Sequence, residues 1–121
     1  MARILHVSYD ESLLKTRALL LAQPGHDVVS AQSFVESLER CKQGDFDVFI
    51  LCHSIPHKDK QELVKTFRVN CTAPIISLLR NCDAHVDTAD LHVEPEAGKV
   101  LQTVAEVLRQ RGQGFRERKS A

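Results

Sequence analysis

Three residues in the stretch "LCHSIPHKDK", positions 51–60, carry side chains that bind metals or attack electrophiles: Cys52, His53 and His57. A thiol with two imidazoles is a ligand set for a soft metal ion, and His6 and Asp59 are further donors of suitable type. Such ligands must converge at about 2.0–2.3 Å from the metal. The spacing His53-xxx-His57 puts two rings on one face only in a helix. Pro56 between them predicts a loop, so the expectation is surface histidines beside a proline turn and no bound metal. The thiol offers a second chemistry, because a cysteine beside positive charge or a helix N-terminus becomes nucleophilic. A third group is acidic. Asp10, Glu11 and Glu94 could hold a cation weakly if they share a cleft, since carboxylates crowded together repel unless neutralised.

These residues need a scaffold, and the chain has 121 residues, enough for one domain with a stable core. It is 43% hydrophobic and 26% charged with zero formal net charge, so no global field draws it to nucleic acid or an acidic membrane. The opening "MARILHVSYDE" predicts no signal peptide, and no stretch approaches a membrane span. A cytoplasmic protein is expected. Cys41, Cys52, Cys71 and Cys82 are widely spaced with no CxxC pair, which argues for reduced thiols over a disulfide framework or zinc knuckle.

Strand and helix signals alternate. Strands are expected at 3–8, 26–31, 46–51, 74–79 and 89–93, and helices at 11–23, from Ser33 to Gly44, at 58–69 and at 96–110. Pro24-Gly25 ends the first helix. Ser33 with Glu36 reads as a capping box, and the helix after it is expected to bury Phe34, Val35, Leu38 and Cys41. "FDVFIL" is nearly all apolar, as a central strand covered on both faces should be. The alternation predicts a three-layer α/β/α sandwich around a five-stranded parallel sheet with right-handed crossovers. Residues 1–110 form this domain, and 111–121 read as a basic, flexible tail in which Arg111, Arg116, Arg118 and Lys119 follow Arg109. No DNA-reading module accompanies that tail, so sequence-specific nucleic-acid binding is not expected.

In such a sheet ligands sit beyond the carboxyl ends of the strands. That selects Ser8–Glu11, Cys52–Asp59, Leu79–Asn81 and Glu94-Pro95. Neither GxGxxG nor GxxxxGK[ST] occurs, which disfavours the common nucleotide sites.

The segments "HVSYDESLL", "FDVFILCHSIPHKDK", "APIISLLRN" and "ADLHVEPEAG" resemble the response-regulator receiver domains, CheY-like proteins, from Arg3 to about Arg109. Together with the alternation, the resemblance implies the sheet order 2-1-3-4-5 (flavodoxin-like), and it implies a bacterial two-component (phosphorelay) signalling module, not an enzyme and without a resident cofactor. Receivers of this type carry an acidic pair, a phosphoacceptor aspartate, a hydroxyl residue and a lysine at these four strand ends. Here Tyr9 stands at the first acid, while Asp10 and Glu11 match the acids that follow it. Cys52 stands at the phosphoacceptor, Leu79 at the hydroxyl residue and Glu94 at the lysine before Pro95. A thiol is a poor ligand for Mg²⁺, glutamate repels phosphate, and leucine donates no hydrogen bond. The expectation is a degenerate, or pseudo-receiver, pocket in a module that acts by protein–protein contact without aspartyl phosphorylation. The alternative is a thiol- or metal-responsive sensor using Cys52, His53 and His57. Acidic neighbours would hold the proton on Cys52 and blunt it. Tyr9 is expected to plug the pocket, its hydroxyl reaching water or Glu94. The segment "RNCDAHVDTAD" is short and polar, so the helix that receivers carry between their fourth and fifth strands is expected to be shortened or missing.

Overall fold

The computed structural model of the chain describes residues 2–80 and 89–120, with the side chains of 111–120 excepted. Along the described residues the order is β1 (Arg3–Val7), α1 (Glu11–Ala22), β2 (Asp27–Ala31), α2 (Phe34–Lys42), β3 (Val48–Leu51), α3 (His57–Asn70), β4 (Ile75–Leu78), β5 (Leu91–Val93) and α4 (Ala97–Ser120). All strand pairs are parallel, and the sheet order is β2-β1-β3-β4-β5. This is the fold class expected from the sequence.

Period-two alternation in β1, β3 and β4 divides the core into two layers. Leu5, Val7, Phe49, Leu51 and Ile75 face Cys41 of α2 and Leu63, Val64 and Phe67 of α3. Ile4, Val48, Ile50, Ile76 and Leu78 face Leu21 of α1 and Val100, Val104 and Val107 of α4. Phe49 and Phe67 stack with ring centroids 4.4 Å apart, joining β3 to α3. Truncating either ring would cost about 3–5 kcal/mol.

Local signals fix the helix ends. Asp10 caps α1, its Oδ1 accepting from the Leu13 N–H at 3.0 Å. Ser33 caps α2, its Oγ accepting from the Glu36 N–H at 3.1 Å. Glu36 Oε1 reaches one residue beyond the cap, accepting from the Gln32 N–H at 2.9 Å. The chain leaves α2 through Gly44 at φ 75° and Asp45 at φ 61°, two successive left-handed residues. The glycine suits that region, whereas the aspartate is tolerated there.

Three expectations need correction. Val35 is exposed, because it lies one residue off the stripe that α2 buries through Ser37 and Cys41. α3 begins at His57, one residue before the expected start, with Pro56 in the loop as its N-cap. α4 runs on to Ser120, so Gln110 marks the end of the apolar periodicity and not of the helix. Residues 111–120 contain no proline and several good helix formers, so the backbone has reason to continue. The expected shortening of the helix between β4 and β5 falls largely on 81–88, outside the described residues. No described helix is long and apolar enough to cross a membrane.

Candidate functional site

β1 and β3 occupy the middle of the sheet, and their carboxyl ends form the floor of the site. The ladder continues past both strands: the Ser8 N–H donates to Ala31 O at 3.1 Å, and the Cys52 N–H to Val7 O at 2.9 Å. The two loops beyond are stitched by hydroxyls. Ser8 Oγ and Ser54 Oγ lie 3.2 Å apart, and Ser54 Oγ accepts from the Tyr9 N–H at 3.1 Å. Ser8 Oγ also donates to Asp10 O at 3.1 Å.

The acids do not converge. Asp10 is occupied as the α1 cap. Glu11 pairs with Lys15 at 2.9 Å along the exposed face of α1. Glu94 pairs with Lys99 of α4 at 2.9 Å, and the hydrogen bond and charge of that lysine hold its carboxyl below the usual carboxylate range. The weak cation site expected from Asp10, Glu11 and Glu94 is therefore dispersed into three separate pairings. The repulsion expected of Glu94 is offset by its own counter-ion.

Nor do the histidines assemble with the thiol as a ligand set. Cys52 Sγ is 3.7 Å from His53 Nδ1, but His57 sits exposed in the first turn of α3. Among the described residues, no group of three or more His, Cys, Asp or Glu side chains could hold a metal ion.

The surroundings of Cys52 overturn the expectation of acidic neighbours. Cys52 is fully buried, and Arg17 of α1, only 8% exposed, donates from Nη1 to Cys52 Sγ at 3.1 Å. Burial pushes the thiol up. Hydrogen bonds from Ser54 and Ser8 and the charge of Arg17 outweigh burial, so the thiol lies below its ordinary value.

Tyr9 also departs from expectation. Its hydroxyl donates to Asp59 Oδ2 on α3 at 2.8 Å and not to Glu94. Burial, and next the bond to Asp59, push the phenol well above its ordinary value. Leu79 is buried beside a cavity of about 280 Å³ that His53, Pro56, His57, Lys60 and Arg80 also line. Lys60, 2% exposed, crosses from α3 to donate to Leu78 O at 2.9 Å.

Sequence reasoning missed Arg17. The available signal was its place on the stripe Leu14–Arg17–Leu21, spaced three and four residues, which α1 turns toward the sheet. His6 was considered only as a metal donor. The structure places it in β1, fully buried, with neither ring nitrogen hydrogen-bonded among the described residues.

Neither a family model nor a curated protein matches the sequence. Solved structures do match. A response-regulator receiver domain protein from Clostridium thermocellum is similar with a TM-score of 0.80 at 18% identity, over 93% of this chain and 98% of that one. Chemotaxis protein CheY4 of Vibrio cholerae is similar with a TM-score of 0.76 at 24% identity, over 88% of this chain and 98% of that one. Response regulator protein TrrA of Thermotoga maritima, solved in complex with Mg²⁺-BeF, is similar with a TM-score of 0.76 at 23% identity, over 88% of this chain and 99% of that one. The strand order, the two core layers and these likenesses together give the chain the fold of the CheY-like response-regulator receiver domains.

Proposed function

We propose that the chain is a receiver module of two-component signalling that works by binding a protein partner, without aspartyl phosphorylation. The observation that carries this reading is at the end of β3. A phosphoacceptor must present a carboxylate to solvent there, and this chain presents a buried thiol bonded to Arg17. The surroundings support the same reading. The acids that would hold a divalent ion beside that carboxylate are engaged as a helix cap and a surface ion pair. Glu94 stands where an ammonium would offset phosphoryl charge, and it is itself paired with an ammonium. Leu79 supplies no hydroxyl.

The test is direct. The chain is incubated with acetyl phosphate and Mg²⁺ and its intact mass measured, then titrated with beryllofluoride and Mg²⁺ while amide resonances are followed. An unchanged mass and unchanged spectra are expected. A phosphoryl-sized mass gain that maps to any residue of this pocket would sink the reading. No arrangement of the described residues favours the metal-sensor alternative, because Cys52 and His57 stay apart.

A further inference from the structure

Two buried polar groups beneath α1 lack what such groups normally require. The guanidinium of Arg17 is almost wholly covered, and the hydrogen-bond acceptor the structure gives it is Cys52 Sγ. Among the described residues no carboxylate pairs with it, although a buried cation left without a counter-charge is strongly destabilising. His6 poses the complementary problem. A neutral imidazole carries one N–H and one bare nitrogen, and here both are buried and find no hydrogen-bond partner among the described residues. An orphaned buried donor costs about 1–3 kcal/mol and calls for an explanation.

Both groups face the same place. His6 pairs in register with Ile50, and strand alternation puts His6, Ile50 and the following Cys52 on the side of the sheet that α1 covers. Arg17 enters from α1 and bears electrostatically on His6 as well as on Cys52. A thiolate would answer the charge of Arg17. One oxygen atom added to the sulfur would bring a further acceptor among the donors of Arg17 and His6.

We propose that Cys52 is a peroxide-oxidisable thiolate whose counter-ion is Arg17, and that Arg17 and His6 receive the oxygen it acquires. The Cys52 sulfur attacks one oxygen of hydrogen peroxide. The S–O bond forms as the O–O bond breaks, the sulfur gives up two electrons to reach the sulfenic level, and the departing hydroxide is neutralised to water by a buffer proton. Because Cys52 is fully buried, the site selects for a small uncharged oxidant over bulky thiol reagents. The groups that set its ionisation are Ser54 and Ser8, which hydrogen-bond to it, and Arg17 from α1, by its charge; His53 Nδ1 lies 3.7 Å from the sulfur, and His6 shares the same side of the sheet. Asp10 and Glu11 on α1 and the Glu94–Lys99 pair at α4 are exposed and engaged elsewhere. This inference rests on the Arg17–Cys52 geometry and holds whether or not the domain takes up phosphoryl groups.

The whole chain is treated with hydrogen peroxide at neutral pH, quenched in denaturant with dimedone, and mapped by peptide mass. Cys52 should be oxidised about tenfold faster than Cys41 or Cys71, reversibly on adding reductant. Cys41 is held above its ordinary value by burial and by Cys71, so it is the internal control. Arg17→Gln should lower the Cys52 rate about tenfold, and Arg17→Lys should lower it less. Equal rates at all the thiols, or an unchanged rate in Arg17→Gln, would overturn the proposal. Should Arg17→Gln fail to fold, thiolate absorbance of the native chain against Cys52→Ser decides. A titration step below the ordinary thiol range that disappears in Cys52→Ser is expected, and its absence overturns the proposal.

Discussion

The hydroxyl of Tyr9 and the carboxylate of Asp59 meet at 2.8 Å across the mouth of the site, tying the loop after β1 to the first turn of α3. The phenol thus ties the β1 loop to α3, while the serine pair Ser8–Ser54 ties it to the loop after β3. Tyr9→Phe keeps the ring and removes the bond. It should cost about 0.5–1.5 kcal/mol, measured as a shift in the urea midpoint at unchanged slope. In a double-mutant cycle with Asp59→Ala the two losses should be less than additive. Full additivity would mean that the bond contributes nothing.

The buried His6 predicts a particular acid sensitivity. Burial first, and then the charge of Arg17, lower its pKa from 6.5 to about 3. The unfolded chain therefore takes up this proton before the folded one does. The contribution of His6 to stability is complete above pH 6.5 and is lost as pH falls from there toward 3, at up to about 1.4 kcal/mol per pH unit. His6→Leu should flatten this slope between pH 6.5 and 4.5, where most carboxylates are still ionised. Parallel stability curves for the two proteins over that window would refute the assignment.

Cys52→Asp tests whether the pocket is one substitution away from phosphotransfer. The new carboxylate should pair with Arg17, while Leu79, Glu94 and the Tyr9–Asp59 bond stay as they are. Intact mass after acetyl phosphate and Mg²⁺ should remain that of the unmodified variant. Phosphoryl uptake by this single variant would show that the other departures are tolerable.

Ser33→Ala removes the α2 cap, whose Oγ accepts from Glu36 at 3.1 Å. Thermal or urea unfolding should register a loss of about 1 kcal/mol, with the fold intact by circular dichroism.

Where sequence and structure agree, the evidence in the residues was local or periodic. The apolar run before Cys52, the leucine and valine stripes and the Ser33 cap each state a short-range requirement, and together they specify the elements; the sheet order came with the family resemblance. The strand ends follow from that order, so the positions of Tyr9, Cys52, Leu79 and Glu94 could be read in advance. What those residues touch could not. Arg17 lies 35 positions before Cys52, and its charge is meaningful only once α1 is laid on the sheet. Asp59 reaches Tyr9 across 50 positions by the same route. For the acidic residues, proximity to a strand end does not fix orientation into the pocket. Each had a partner on its own helix or the next one, and a short-range pairing wins over a crowded cleft.

The placement of β1 and β3 has a consequence for how this pocket can move. Each is hydrogen-bonded to a strand on either side, so their amides should be among the last to exchange with deuterium. Val7 O and the Cys52 N–H belong to that slow unit. Tyr9, Asp59 and Glu94 belong to loops and helix ends, which open locally at far lower cost. The pocket therefore has a rigid floor under an adjustable rim. Any ligand, oxidant or partner that reads the state of Cys52 must do so through the rim.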